Sequence, residues 1–401
     1  MKILLISPED TKGNTWGGVS TYTTLLANYL GRIHQEVYVL MPGSKNKLHE
    51  LHPQSVHVKG KSDKFFVWNL ADKACWKFFP LTMKRVHWGL DVLRYVQTQG
   101  PFDVIEAPEW GNSTLFVSLC TKEKVVVTLH RGWYCYKKDN DLPMNIDVWL
   151  VCFLEFLSII VATAISSPTR YMLSFYKFFI GMYKLRGGKI IHYIPYGVEI
   201  GAVRKSESAP GPLPRYILFV GRVEKAKGPL VLIQAFQRIA CHYRNIDLVL
   251  VGENMGMWID RRYVKYKTYL QSYVRRCHLK NRVHFAGKKT RDQLIPYYDQ
   301  CLFLVVPSEK RENSPYVVFE AISRNKTAIV STGGGLPEMI KDEVNGLLFT
   351  RNNVEMLAEK MSYLIDHEDV RRRFERYNAI HKKEFDIKKI AVQTLSFYKS
   401  I

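Results

Sequence analysis

LFLVVPSEKRENSPYVVFEAISRNKTAIVSTGGGLPEMI, residues 302–340, is the stretch that decides the fold. Its first run, LFLVVPS (302–308), is short and apolar, the pattern of a buried strand. A polar loop follows, and Pro315 sits where the first turn of a helix accepts proline, because the missing N–H would lack an intrahelical partner anyway. A second apolar run, TAIVST (327–332), ends in three glycines, and Pro337 and Glu338 open another helix. Strand, helix, strand and helix in that order make βα units, whose strands pair in parallel.

The same rhythm continues outward. YILFVGR (216–222), DLVLVGE (247–253), RVHFAG (282–287) and GLLFT (346–350) read as further strands, with charged amphipathic helices at 353–366 and 368–380. Upstream, KILLIS (2–7), VYVLMP (37–42), DVIEAP (103–108), KVVVTLH (124–130), ATAISS (162–167) and KIIHYIP (189–195) form another strand series. Helical patterns intervene at 19–32, 82–98, 112–121, 145–159 and 169–182. Between the two series SESAPGPLPR (206–215) breaks the alternation with Pro, Gly and Ser, the composition of a linker. A chain of 401 residues also exceeds one ordinary core. The expected architecture is α/β, with two doubly wound domains over 1–205 and 216–380 joined by 206–215. The tail, 381–401, spaces Ile387, Ile390, Ala391, Leu395 and Tyr398 along one helical stripe and is expected to pack back on the N-terminal domain.

Lys and Arg total 58 against 37 Asp and Glu, a net charge of +21 that favours an anionic partner. Phosphorylated ligands, acidic membranes and nucleic acid all qualify, but no nucleic-acid-binding module is recognisable. Seven scattered cysteines without a CxxC pair read as reduced thiols of a cytosolic protein, neither a disulfide framework nor a zinc site. MKILLISPED looks like a first strand and lacks the features of a signal peptide. VWLVCFLEFLSIIVATAI (148–165) is apolar enough to be weighed as a membrane span, yet Glu155 lies near its middle and its second half is β-branched. A helix followed by a buried strand is the expected outcome.

In open α/β sheets, ligands bind outside the carboxyl ends of strands, so the loops after strands carry the chemistry. KGNTWGGVSTY (12–22) puts Gly17 and Gly18 before a helix, where bare backbone can approach a phosphate. The same turn serves structure alone equally well, and it departs from GxGxxG, so a dinucleotide is not supported. GRVEKAKG (221–228) sets Arg222 and Lys227 beside Gly221, suited to a diphosphate or simply to solvent. Glu312 lies at a strand's carboxyl end and Glu320 on the adjoining helix; they either reach two ends of an extended ligand or are a helix-dipole partner and a surface charge.

Together these motifs resemble the retaining Leloir glycosyltransferases of the GT-B architecture, the family 4-like glycosyl transferases group 1, marked by two glutamates separated by seven residues. Glu312 and Glu320 have that spacing, and GGVSTY (17–22), TLHRG (128–132), GRVEKAKG, HFAG (284–287), STGGGLPEMI (331–340) and NGLLF (345–349) match around them. The resemblance implies two Rossmann-like domains with parallel sheets facing across a cleft. It further implies that Gly17, Gly18 and Gly221 lend backbone to the donor diphosphate, and that Arg222 and Lys227 neutralise it. His130 would face the donor sugar, Glu312 would hold or polarise it, and Glu320 would bind the ribose hydroxyls. Asn313, Ser314, Pro315 and Tyr316 would line the donor site, in place of the family's common Phe-Gly pair. IPYGVE (194–199) carries Tyr196 where the family often has Asn. No DxD-type cluster is suitably placed, so no metal and no cofactor are expected, the nucleotide sugar being a substrate.

Two segments mix aromatics with cations, KSDKFFVWNLADKACWKFFPLTMKRVHW (61–88) and RYMLSFYKFFIGMYKLRGGK (170–189), as suits an anionic membrane surface. Core packing with a solvated charged face is the plainer alternative. The expected function is transfer of a sugar, from a UDP-sugar by the family's habit, to a membrane-linked or polysaccharide acceptor on the cytoplasmic face of the inner membrane. A soluble sugar-phosphate or glucan synthase, and a non-catalytic glycan- or nucleic-acid-binding protein on the same scaffold, are the competing readings.

Overall fold

The computed structural model describes residues 1–7, 18–41, 77–140, 144–188, 190–201, 215–259 and 262–401. The chain divides into two compact units: Met1–Gly197 with Ile387–Ile401, and Val198–Asp386. It passes from one to the other at Gly197 and back at Asp386. Val198 donates its N–H to the Phe385 carbonyl at 2.8 Å, and Val198 pairs in parallel with Asp386. Residues 381–386 therefore belong with the second unit. Only the helix Ile387–Ser400 returns to the first, where it packs on α1 (Gly18–Arg32).

The first unit holds six parallel strands: β1 (Lys2–Ile6), β2 (Glu36–Leu40), β3 (Val104–Pro108), β4 (Lys124–Thr128), β5 (Ala164–Ser167) and β6 (Ile191–Tyr193). Their order is β2-β1-β3-β4-β5-β6, with Ile3 opposite both Val37 and Val104. All five residues of β3 are buried, the continuous burial expected of a strand covered by helices on both faces. Those helices include α2 (Pro80–Gln99), α3 (Leu115–Cys120), α4 (Trp133–Asn140) and α5 (Ile146–Val161). The segment weighed as a membrane span is thus α5 followed by β5. Among the described residues no helix is long and apolar enough to cross a membrane. The single helix expected over 169–182 is two, α6 (Arg170–Phe175) and α7 (Lys177–Leu185), broken at the buried Tyr176.

The second unit repeats the scheme with β7 (Arg215–Val220), α8 (Pro229–Ile239), β8 (Ile246–Val251), the hairpin β9 (Gly256–Ile259) and β10 (Arg262–Lys265), α9 (Tyr266–Arg276), β11 (Val283–Gly287) and α10 (Arg291–Gln300). β12 (Leu304–Val306), α11 (Tyr316–Ser323), β13 (Ala328–Thr332), α12 (Leu336–Met339), β14 (Gly346–Thr350), α13 (Val354–Asp366) and α14 (Glu368–His381) complete it. The sheet order, β11-β8-β7-β12-β13-β14, is that of a doubly wound nucleotide-binding fold. β7 starts at Arg215, inside the expected linker, whose residues 206–214 lie outside the described residues. The β9–β10 hairpin and α4 have no counterpart in the sequence reading. Of the C-terminal stripe, Leu395 is only half-buried, while Thr394 and Phe397 are buried instead.

Candidate functional site

In the second unit the strand order reverses between β7 and β12, the point at which open α/β sheets bind their ligands. Three loops meet at this point, and glycine makes two of the meetings possible. Gly228 has φ +70° and a Cβ on it would lie 1.9 Å from the Pro307 carbonyl; Gly334, also at +70°, would place one 1.8 Å from the Glu312 carbonyl. The Gly335 N–H donates to that same carbonyl at 2.8 Å. Glu312 is consequently fixed through its backbone by the glycine loop. Its side chain is fixed by Lys227, whose Nζ is 2.7 Å from Oε1, and by the Ser308 hydroxyl, which donates to Oε1 at 2.9 Å.

Asn313, Ser314 and Tyr316 are buried beside it, Pro315 caps α11, and the Ser314 hydroxyl has no partner among the described residues. The N-terminus of α11 brings partial positive charge to the same loop. Glu320, one turn along α11, accepts from the Tyr298 hydroxyl at 2.8 Å, with Arg291 Nε 3.8 Å away. Arg222 stands apart from this group: it is exposed and pairs with Glu224 at 2.9 Å. Gly221 continues the ladder of β7 by donating to the Val251 carbonyl.

In the first unit the order reverses between β1 and β3. A small cavity lies there, lined by Leu5, Ile6, Tyr22, Glu106, Pro108 and His130 among others. Gly18 opens α1 nearby in the chain, whereas Gly17 lies outside the described residues. His130, just past β4, is buried; its N–H donates to Glu109 Oε2 at 2.8 Å, and its Nδ1 meets the Tyr196 hydroxyl. Tyr196 also stacks on the imidazole, and Tyr22 meets it edge-on. Burial lowers the imidazole pKa to about 3, so His130 is neutral at physiological pH. Glu106 accepts from Tyr22 at 2.8 Å and Thr128 at 2.9 Å, and from Tyr398 of the C-terminal helix.

Sequence reading missed Tyr22, Glu106, Glu109, Ser308, Tyr298 and Arg291. The signal for two of them was present: Glu106 and Glu109 are carboxylates in the otherwise apolar VIEAPEW (104–110), which a buried segment holds only if they are partnered.

The aromatic-basic segments split between core and surface. Within 170–189, Tyr183 is buried, while Phe178 (71% exposed), Met182 and Leu185 (89%) face outward with Lys177, Lys184 and Arg186. On α5, Ile146, Trp149 and Phe153 form a second exposed stripe, with the two rings stacked 5.4 Å apart. Each stripe lies opposite its helix's buried face, and Phe156 stacks on Phe179 between the helices. Of 61–88, residues 61–76 lie outside the described residues. Phe78 is exposed, but Trp88 and Arg85 turn inward: Trp88 donates to Ser113 at 2.9 Å and Arg85 lies over the Trp133 ring.

Comparison with known proteins places this geometry. Residues 204–381 match the family model for glycosyl transferases group 1. The second unit belongs to that family. An uncharacterized glycosyltransferase of Methanocaldococcus jannaschii is 29% identical over 184 residues, 46% of this chain and 48% of that protein. The chain spans about half the length of the first curated relatives it matches. Sucrose-phosphate synthase from Thermosynechococcus elongatus superposes with a TM-score of 0.77 at 18% identity, covering 100% of this chain and 98% of that one. Anabaena HepE in complex with UDP-glucose gives 0.71 at 17%, covering 100% of both. These likenesses establish the fold: the group 1 unit and its partner unit form the GT-B architecture.

Proposed function

We propose that this protein transfers a sugar from a nucleotide diphosphate-sugar, with UDP-sugar as the favoured donor, to a membrane-linked or polysaccharide acceptor, with retention and without a metal. The observation that carries the reading is the Lys227–Glu312 pair beside the N-terminus of α11, at the switch point of a group 1 unit. When the bond from the anomeric carbon to the diphosphate breaks, its electron pair leaves with the phosphate oxygen. The acceptor hydroxyl bonds to the carbon, and its proton passes to the departing phosphate. Lys227, Arg222 and the α11 N-terminus stabilise the growing negative charge, and fixed groups in a water-poor site do so most effectively. An arriving diphosphate draws Lys227 from Glu312, which frees that carboxylate to hold the sugar hydroxyls.

Glu320, steadied by Tyr298 and Arg291, is assigned to the ribose, and Gly17, Gly18, Gly221, Asn313, Ser314, Pro315 and Tyr316 to the remaining donor contacts. His130, being neutral, is suited to a hydroxyl of the sugar. The outer face of α5 and α7 supports the membrane-linked acceptor, because it combines aromatic and aliphatic side chains with Lys177, Lys184 and Arg186. Each such cation near an anionic surface contributes about 1 kcal/mol.

Two measurements test this. UDP should raise the melting temperature, and UDP should be released slowly from a UDP-sugar with chelator present; no stabilisation by any nucleoside diphosphate would end the donor reading. Vesicles containing phosphatidylglycerol should bind the protein, and Trp149→Ser with Phe153→Ser should release it. Equal indifference of parent and variant to vesicles would instead favour a soluble acceptor.

A further inference from the structure

The loop His130–Trp133 is held by groups the proposed chemistry does not use. Three of its four backbone N–H groups point into one buried polar cluster. His130 donates to Glu109 Oε2 at 2.8 Å, Gly132 to the Tyr176 hydroxyl at 3.3 Å, and Trp133 to Glu155 Oε2 at 2.8 Å. Tyr176 in turn donates to Glu109 Oε1 at 3.3 Å. Glu109, Glu155 and Tyr176 are each at most 1% exposed. The fit leaves no space at Gly132, where a Cβ would lie 2.6 Å from Glu155 Oε2. Three elements converge to make the cluster: Glu109 follows β3, Glu155 comes from the middle of α5, and Tyr176 sits at the break between α6 and α7. Apolar side chains would fill this space at less cost, since two carboxyls lose their hydration here. A cradle of acceptors matters where backbone N–H groups must be held in one geometry.

We propose that the Glu109–Tyr176–Glu155 cluster is the positioning device for His130, and that gain or loss of one proton in it changes how the His130 loop is held; this rests on the glycosyltransferase reading above. The groups facing the cluster are few. Arg85 of α2 lies within electrostatic reach of Glu155 and Asp147, Cys152 of α5 interacts with Glu155, Cys135 faces Tyr176 from α4, and backbone N–H groups make further contacts. Arg85 cannot neutralise both carboxyls, so one of them keeps its proton. Burial pushes Glu109 up to about 7 and Glu155 well above the usual carboxylate range, with Glu109 adding to the rise of Glu155. When Glu109 is ionised, it accepts from both His130 and Tyr176. When it is protonated, it must donate through one oxygen, and Tyr176 becomes the nearest acceptor while still serving Gly132.

The test uses the full chain and four proteins: parent, Glu109→Leu, Glu109→Gln and Gly132→Ala. UDP affinity is measured by calorimetry, UDP release from UDP-glucose across about pH 5.5 to 9, and the His130 ring by NMR of ¹⁵N-histidine-labelled protein. Glu109→Leu and Gly132→Ala should lower kcat by about 10- to 100-fold, the scale of a displacement near 1 Å. UDP affinity should stay within about threefold, because the nucleotide contacts other than the Gly17–Gly18 turn are assigned to the other unit. Glu109→Gln keeps the hydrogen-bonding shape, so its rate should stay within about threefold of the parent while the kinetic limb near neutral pH disappears. His130 signals should move in the Leu and Ala variants and hold in Gln. Parent-like rates and unmoved His130 signals in both Glu109→Leu and Gly132→Ala would overturn the positioning role, and a retained limb in Glu109→Gln would overturn the proton. If Glu109→Leu does not fold, Gly132→Ala decides. If the parent neither binds UDP nor turns over UDP-glucose, the functional reading fails, and the His130 signals alone judge the cluster.

Discussion

The two switch points of this molecule are built from opposite materials. In the second unit the side chains are charged and, the buried Glu312 apart, reachable by solvent: Lys227 against Glu312, Arg291 near Glu320, Arg222 exposed. In the first they are buried, and burial raises the Glu106 and Glu109 carboxyls and lowers the His130 imidazole beside Tyr22 and Tyr196. The difference teaches what each group is for. A charge that must meet an anion stays near water until the anion replaces it. A group that fixes geometry gains from burial, where its hydrogen bonds face no competition.

The sharpest way to break this contrast is at the charged end. Lys227→Ala should lower turnover by about 10²-fold or more, the scale for losing one preorganised electrostatic group. It also leaves Glu312 without its cation, so Lys227→Ala with Glu312→Gln should be less than additive. Near-normal turnover of Lys227→Ala in a donor-hydrolysis assay would show that the pair is structural. Arg222→Ala, whose side chain meets only Glu224 among the described groups, should cost less unless donor binding recruits it.

A smaller effect separates binding from rate within the charged site. Glu320→Ala should weaken UDP binding by about tenfold with little change in kcat, since a ribose contact is made in ground and transition states alike. Tyr298→Phe should reproduce a fraction of that loss through the hydrogen bond to Glu320. Equal UDP affinity for parent and Glu320→Ala by calorimetry would move the ribose elsewhere. Gly334→Ala tests the scaffold beneath: at φ +70° and 1.8 Å from a carbonyl, it should cost at least about 1–3 kcal/mol in denaturant unfolding.

The smallest effect belongs to the buried site and is read from pH. Glu109 binds its proton more tightly folded than unfolded, so its contribution to stability is full below the ordinary carboxyl range and is lost as pH rises through about 7. The melting temperature of Glu109→Gln should therefore fall less than the parent's between about pH 5 and 8. His130 has the opposite sign: its neutral form is favoured, so its contribution is full above the ordinary imidazole range and is lost as pH falls toward 3. Parallel pH curves for parent and Glu109→Gln would show that Glu109 does not titrate in this range.

How much was legible follows the same divide. Alternating apolar runs and glycine turns located most strands of both sheets, because buried parallel strands are continuous in sequence. The Glu312–Glu320 spacing and the GRVEKAKG loop were visible because loop motifs are local. Glu109, Glu155 and Tyr176 lie in three separate segments, and only the topology brings them together. Tyr196 was noticed as a departure in IPYGVE, but its partner His130 lies far away in the chain. The α6–α7 break was hidden because the apolar periodicity runs on through Tyr176.

The last helix carries a consequence for synthesis. The ribosome emits the second unit whole, as one uninterrupted stretch from Val198 to Asp386, whereas the first unit lacks Ile387–Ile401 until all of the second has been made. Until then α1 lacks the cover of that helix, and Glu106 waits without the Tyr398 hydroxyl. The usual order, in which the N-terminal domain is finished first, is reversed here. The nascent chain has its second unit complete early and closes the first only afterwards.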